Sequence, residues 1–101
     1  IAPVQVKVLP ISSDFFDYAR AVAAEVSSWG VRVEVDERDE KLGKKIRDAQ
    51  TQKLPYMLVL GEKEREADGV APRKRSKGDL GLMSMGEFRK VLEDEFSPLK
   101  G

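Results

Sequence analysis

Two charged stretches of this 101-residue chain carry residue types suited to binding an anion or a metal. The first, Asp36-Glu37-Arg38-Asp39-Glu40-Lys41, runs on to Lys44, Lys45 and Arg47, and the second is Arg73-Lys74-Arg75-Ser76-Lys77. Basic groups near the start of a helix, where unpaired N–H groups already carry partial positive charge, suit a phosphate or another oxyanion. The same residues would equally form a solvated helix face laced with i,i+4 pairs, which is what charge runs usually are. The second stretch reads either as a cationic patch or as an edge strand kept soluble by charge. Its composition also resembles a nuclear localisation signal, a reading that a place inside a folded hairpin disfavours. The carboxylates of Asp36, Asp39 and Glu40 could ligate magnesium, but with Arg38 and Lys41 among them a solvated loop is the expectation.

The chain holds no histidine and no cysteine. Without cysteine there are no disulfides, thiolate nucleophiles or ordinary zinc sites, which fits a reducing compartment. Without histidine, acid-base catalysis near neutral pH would need carboxylates or lysines with strongly shifted pKa values. No G-x-S-x-G elbow, G-x-G-x-x-G turn or G-x-x-x-x-G-K-[ST] loop is present, and where a phosphoacceptor domain carries its acidic pair this chain has Leu9-Pro10-Ile11. A catalytic site is therefore not expected in these residues. The 18 basic and 18 acidic side chains cancel, which argues against an indiscriminate polyanion binder. Their placement is uneven: four bases and no acid stand from Arg73 to Lys77, and four acids against two bases from Glu87 to Glu95. One cationic side is expected.

Hydrophobic spacing supplies the elements that hold these groups. Val4, Val6 and Val8 alternate with Gln5 and Lys7, which predicts a strand closed by Pro10. Ser12, Ser13 and Asp14 offer N-cap oxygens to a helix striped by Phe15, Ala19, Val22, Val26 and Trp29, with Gly30 as its C-cap. That spacing assigns Phe15 and Trp29 to core packing rather than base stacking, and Tyr56 likewise. Val31, Val33 and Val35 predict a second strand, residues 36–40 a surface loop too polar to be buried, and Leu42, Ile46 and Ala49 the inner face of a second helix whose opposite face is basic. The continuous apolar run at 55–61 predicts a central strand covered on both sides. Right-handed strand-helix-strand units then place the first strand between the second and third.

Residues 62–67 read as a short helical turn reversed at Asp68-Gly69, and 70–75 as a strand that lies near an edge or pairs poorly at Pro72. Residues 76–79 read as a turn, 80–83 as a short last strand, and Phe88, Leu92 and Phe96 as the stripe of a final helix that begins near Ser84 and ends at Pro98. Ligands of open α/β sheets bind beyond the carboxyl ends of the strands, which selects the loops at 36–41 and 61–66. One hydrophobic core, and hence a single domain over residues 1–101, is expected. No apolar run approaches the ~20 residues of a membrane-spanning helix.

Two strings, Asp36-Glu37-Arg38-Asp39-Glu40-Lys41-Leu42-Gly43-Lys44-Lys45-Ile46-Arg47 and Pro55-Tyr56-Met57-Leu58-Val59-Leu60-Gly61-Glu62-Lys63-Glu64, carry a family resemblance. Together with Ala2-Pro3-Val4-Gln5-Val6, Val70-Ala71-Pro72-Arg73-Lys74-Arg75 and Asp79-Leu80-Gly81, the chain resembles, in order, the C-terminal anticodon-binding domain of threonyl-tRNA synthetases, which are class IIa aminoacyl-tRNA synthetases. Histidyl, prolyl and glycyl enzymes share that domain, but the string through Ile46-Arg47 followed by Pro-Tyr-Met-Leu-Val is most like the threonyl group. The resemblance implies an α/β fold of three layers, α/β/α, around a mixed five-stranded sheet of order 2-1-3-4-5 with strand 4 antiparallel.

The resemblance also implies that the domain grips the anticodon loop of threonine tRNA and reads its second and third bases, G and U. Asp39, Glu64 and Arg73 fall on the family's base-reading positions and Arg47 on a supporting one, with Lys41, Arg75 and Lys77 as further tRNA contacts. An arginine fork matches two guanine acceptors, and a carboxylate accepts from guanine or uracil ring N–H groups. At Asp39 the family more often has asparagine, which donates as well as accepts. Joining threonine to tRNA with ATP would be the work of a catalytic domain of the same polypeptide. ATP, magnesium and zinc would belong there, and no cofactor is expected here. A cytoplasmic location, no membrane partner, a monomeric domain and a homodimeric parent are also expected. Two other readings stand beside this one. The first is the same fold in another class IIa synthetase or synthetase-like accessory protein. The second is a protein-interaction module without tRNA specificity, which would be indifferent to charge removal at Arg73 and Lys77.

Overall fold

The computed structural model describes residues 5–74 and 78–96. Along them run β1 (Val6–Pro10), a 3-10 turn (Ser13–Phe15), α1 (Phe16–Ser28), β2 (Val33–Val35), α2 (Leu42–Thr51) and β3 (Tyr56–Leu60). There follow α3 (Glu62–Ala67), β4 (Gly69–Lys74), β5 (Gly78–Asp79), β6 (Met83–Ser84) and α4 (Met85–Phe96). The expectations placed on Val4, on Arg75, Ser76 and Lys77, on the Phe96 side chain and on Pro98 fall outside the described residues.

The sheet has the order β2-β1-β3-β4-β5. β1 is parallel to β2 and β3, β4 antiparallel to β3, and β5 antiparallel to β4. The expected order and the antiparallel fourth strand are both present. The last strand differs from the expectation, because residues 80–82 are not extended in a ladder; two short strands, β5 and β6, pair with β4 on either side of them. Gly81 sits there at φ 84°, a left-handed backbone that cannot continue a strand.

Pro72 occupies the interval between β5 and β6 rather than a sheet edge. In an antiparallel strand the nitrogen and carbonyl of one residue point to the same side. The Pro72 carbonyl accepts the Leu80 N–H at 2.9 Å, so the missing Pro72 donor faces the interval and the ladder to Leu58 of β3 loses nothing. On that side Pro72 has this one backbone bond and no ladder partner, the poor pairing expected for proline.

Alternation along the strands divides the interior in two. Val6, Val8, Tyr56, Leu58, Leu60 and Val70 face α1 and α4, where Ala19, Val22, Val26, Trp29, Phe88 and Leu92 meet them. Leu9 and Met57 face the other way, onto Ala49 and Leu54, with Leu42 and Ile46 of α2 packed alongside. Helices thus cover both faces. Phe15 and Trp29 are core residues, and the Phe88 ring meets Trp29 at 6.2 Å and Tyr56 edge-on at 6.0 Å.

The two long helices of the first layer start differently. No side-chain cap from the Ser12–Asp14 oxygens opens α1; the 3-10 turn leads into it instead, with Phe15 N–H donating to the Ser12 carbonyl at 3.1 Å. Gly30, at φ 86°, ends it as expected. At α4 the cap is reciprocal: Glu87 N–H donates to Ser84 Oγ at 3.1 Å, and Ser84 N–H to Glu87 Oε1 at 3.2 Å. Ser84→Ala is accordingly expected to cost about 1 kcal/mol, seen as a lower urea midpoint at unchanged slope. An unmoved midpoint would mean that this box contributes nothing to folding. Among the described residues no helix is long and apolar enough to cross a membrane.

Candidate nucleic-acid interface

β2 delivers the chain to residues 36–41, beyond the carboxyl ends of the parallel strands. Asp36 was expected on a solvated loop, yet it is buried, with 5% of its surface exposed. Its carboxylate accepts hydrogen bonds from Arg38 N at 3.1 Å, Nε at 2.9 Å and Nη2 at 2.7 Å. The same guanidinium reaches Asp48 of α2 through Nη1 at 2.9 Å. Glu37 accepts both arms of Arg20 from α1, at 2.8 and 2.9 Å, and Glu40 pairs with Lys44 at 3.4 Å.

The Asp36–Arg38 and Arg20–Glu37 pairs shift the ionisation of their members. Hydrogen bonding to Arg38 holds the Asp36 carboxyl below its ordinary range although burial pushes the other way. Asp36 and then Asp48 raise the Arg38 pKa in return, and Arg20 lowers that of Glu37. The loop is thus pinned to two helices, α1 through Arg20 and α2 through Asp48. Asp39 is exposed and, among the described residues, makes no hydrogen bond or ion pair, so the pinned loop presents it outward.

Lys45 corrects the expected basic face of α2. It is 1% exposed, and its Nζ donates to the carbonyls of Pro10 at 3.0 Å and Asp36 at 3.3 Å while lying 5.6 Å from the Phe16 ring centre. A 3.6-residue period puts Lys45 beside Leu42, Ile46 and Ala49, so its stem belongs to the inner face and its ammonium group fastens the ends of β1 and β2 to α2. Of the cations expected to form an oxyanion site there, Lys44 is paired and Lys45 is buried, leaving Lys41 and Arg47 exposed. The magnesium reading also loses Asp36, whose oxygens Arg38 occupies.

A cleft of about 240 Å³ lies on the α2 side of the sheet, lined by Leu42, Ile46, Val59, Glu64, Ala71, Arg73 and Asp79. Strand register explains its membership. Arg73 stands opposite Met57 and Asp79, and Ala71 opposite Val59, so all share the face that Met57 turns toward α2. Both carboxylates are tethered by backbone: Gly61 N–H donates to Glu64 Oε1 at 2.7 Å, and Gly81 N–H to Asp79 Oδ1 at 2.8 Å. The Arg73 Nε is buried and has no hydrogen-bond partner among the described residues. At 100° per residue, Gly43 and Arg47 fall on the flank of α2 next to Leu42 and Ile46, and nothing lies within 4 Å of where a Gly43 side chain would begin.

Of the expected site residues, then, Glu64 and Arg73 meet in one cleft, with Arg47 on its flank. Asp39 is set apart in a second hollow of about 360 Å³ that it shares with Ile11, Ser12, Ser13 and Phe16. Glu40 and Lys45 line that hollow whereas Leu42 and Ile46 line the cleft, so the first turn of α2, with Lys41 just before it, stands between the two. Arg75 and Lys77 lie outside the described residues. Asp79, which also lines the cleft, was not among the expected site residues. It stands in the string Asp79-Leu80-Gly81, but its place across a hairpin from Arg73 counts only once the register is known.

Comparison with other proteins places the fold in a family. The sequence matches the family described as "Anticodon binding domain" over residues 5–95. It is 53% identical over 95 residues to a threonine-tRNA ligase of Desulforamulus reducens, covering 94% of this chain and 15% of that protein. A threonine-tRNA ligase of Chloroherpeton thalassium is 50% identical over 100 residues, covering 99% of this chain and 15% of its own length. The chain thus spans about 15% of the curated relatives it matches. The solved RNA binding domain of threonyl-tRNA synthetase from Cryptosporidium parvum superposes with a TM-score of 0.85 at 30% identity, over 92% of this chain and 24% of that one. A histidyl-tRNA synthetase from Nostoc superposes with a TM-score of 0.85 at 16% identity, over 95% of this chain and 23% of its own, and so shares the fold. The chain therefore belongs to the anticodon-binding domain family, and over nearly its whole length it is similar to the form of that domain found in threonine-tRNA ligases.

Proposed function

We propose that this chain binds the anticodon loop of threonine tRNA as the recognition module of a threonine-tRNA ligase. The observation that carries the reading is Arg73, which lines a cleft with two tethered carboxylates and whose buried Nε has no partner among the described residues. A buried donor left unpaired is costly, and a bound base supplies its acceptor. The apolar floor of Leu42, Ile46, Val59 and Ala71 gives an unstacked base a dry face, while Arg73 and Glu64 meet its polar edge. Asp39, on its own loop, contacts a neighbouring base. Arg47, Lys41, Arg75 and Lys77 supply contacts to the phosphate backbone. The parent polypeptide joins threonine to its tRNA with ATP in a catalytic domain that also holds magnesium and zinc and forms the homodimer. The domain by itself is a monomer, and the setting is the cytoplasm.

The test is a titration with anticodon stem-loops carrying G and U at the second and third positions, or with these bases exchanged, at two salt concentrations. The wild-type chain is expected to prefer the G-U loop, and Arg73→Ala to reduce that preference on the order of tenfold while leaving the weaker, salt-dependent binding. Equal binding of both loops by the wild type would remove the base-reading role from this chain and favour the same fold in another synthetase or a synthetase-like accessory protein.

A further inference from the structure

We infer that Asp79 is a specificity-determining residue of the cleft, accepting with its free carboxylate oxygen from the N1–H or N2 amine of a guanine whose O6 is held by Arg73. The inference rests on the cleft being a base-reading site and adds to it the group that tells guanine from adenine.

Asp79 and Arg73 are directly opposite in the β4–β5 ladder and point to the same face. Opposite charges so placed would ordinarily close on each other, yet no ion pair joins them among the described residues, and the Arg73 Nε stays unpartnered. Donor and acceptor are therefore displayed side by side rather than spent on each other. Asp79 is also fixed in place, because Oδ1 is held by Gly81 N–H at 2.8 Å and Gly81 takes the left-handed backbone, φ 84°, that closes this turn. One carboxylate oxygen remains for a ligand.

That pairing matches one base edge. Guanine presents O6 as acceptor next to the N1–H and N2 amine donors. Adenine in the same pose would turn its N6 amine toward the guanidinium and its N1 lone pair toward the carboxylate, both repulsive. Uracil fits in part, through O4 and N3–H, but offers an acceptor where guanine offers its amine. Guanine carries two kinds of N–H donor on this edge, N1–H and the N2 amine, and the cleft holds two carboxylates, Glu64 and Asp79, that can accept from them.

The experiment uses the 101-residue chain with labelled anticodon stem-loops that differ only in guanine or adenine at the second anticodon position. Asp79→Asn keeps an oxygen for Gly81 N–H and replaces the free oxygen with an amine. Asp79→Ser, whose hydroxyl can also accept from Gly81, gives the same readout if asparagine perturbs the turn. The expected result is a fall in the guanine-over-adenine preference on the order of tenfold, with the thermal midpoint unchanged. A merely structural aspartate would weaken both loops together and leave their ratio alone. If both variants keep the wild-type ratio, Asp79 is not a specificity determinant although the cleft still reads bases. If the wild type itself does not distinguish the two loops, the base-reading cleft falls and this inference with it.

Discussion

Replacing Lys45 with methionine is expected to lower the stability of the chain by about 3 kcal/mol, because two buried carbonyl acceptors lose their donor at once and each costs about 1–3 kcal/mol when left unsatisfied. Methionine keeps most of the apolar stem, so the loss isolates the ammonium group from packing. The carbonyls are those of Pro10 and Asp36, at the ends of β1 and β2, and nothing in the substitution replaces the bonds of 3.0 and 3.3 Å. Lys45 also provides positive charge near the buried Asp36 carboxylate. Removing one charge of a buried set is worse than replacing the whole set with apolar groups, since the remaining charge stays desolvated. Urea unfolding measures the effect. A change under 1 kcal/mol would mean that water replaces the ammonium group and that the clamp is not structural. Hydrogen exchange provides the local readout, with the amides of Ile11, Asp36 and Arg38 expected to exchange faster in the variant.

The second large effect concerns Asp36 and depends on pH. Asp36→Asn is expected to cost about 2 kcal/mol at neutral pH, within the range for hydrogen bonds to charged groups and not above it, because Arg38 is half exposed and partly screened. Arg38 lowers the folded-state pKa of Asp36 beneath its unfolded value of about 3.9. A carboxylate with a depressed folded pKa contributes stability that is fully present above the unfolded value and disappears as pH falls through the folded one. Wild type and variant should therefore differ by the full amount at pH 7 and converge in acid below about pH 4. Glu37 is lowered in the same sense by Arg20, but it is present in both proteins and cancels in the comparison. A gap that stayed constant down to strong acid would show that the carboxylate's charge is not what holds the loop.

Both effects bear on recognition, because the groups involved hold the loop that carries Asp39. Three of the loop's acids are tied down, to Arg38, Arg20 and Lys44, and the fourth is presented. Preorganisation of this kind lowers the ordering cost on binding. Loosening it should weaken the proposed contact of Asp39 before that of the cleft around Arg73, which lies on the other side of the α2 N-terminus.

Much of this arrangement was readable from local pattern. Alternating valines placed β1 and β2, and the continuous run at 55–61 placed β3, observed at Tyr56–Leu60, at the centre, because a strand covered on both faces has no polar side to show. Leu42, Ile46 and Ala49 marked the buried side of α2, the handedness of strand-helix-strand units put β1 between β2 and β3, and the family resemblance supplied the rest of the sheet order, the antiparallel fourth strand and the candidate base readers. Lys45 fits the same i, i+3, i+4, i+7 stripe, so its position was in the sequence, but a lysine there is ordinarily solvated. Only the two carbonyls waiting for its ammonium group, brought together from β1 and β2, make burial favourable. Asp36 is a similar case: its burial depends on Arg38 folding back over it and on Asp48 of a different element anchoring Arg38. Asp79 enters the cleft because a non-local register sets it opposite Arg73, and a shift of one residue would turn it to the other face. The sequence by itself determined which side chains need a core and which family pattern they follow, since these are properties of spacing and residue type. Tertiary structure alone decided which charges meet partners and which are left open for a ligand, because that outcome depends on contacts between residues far apart in the chain.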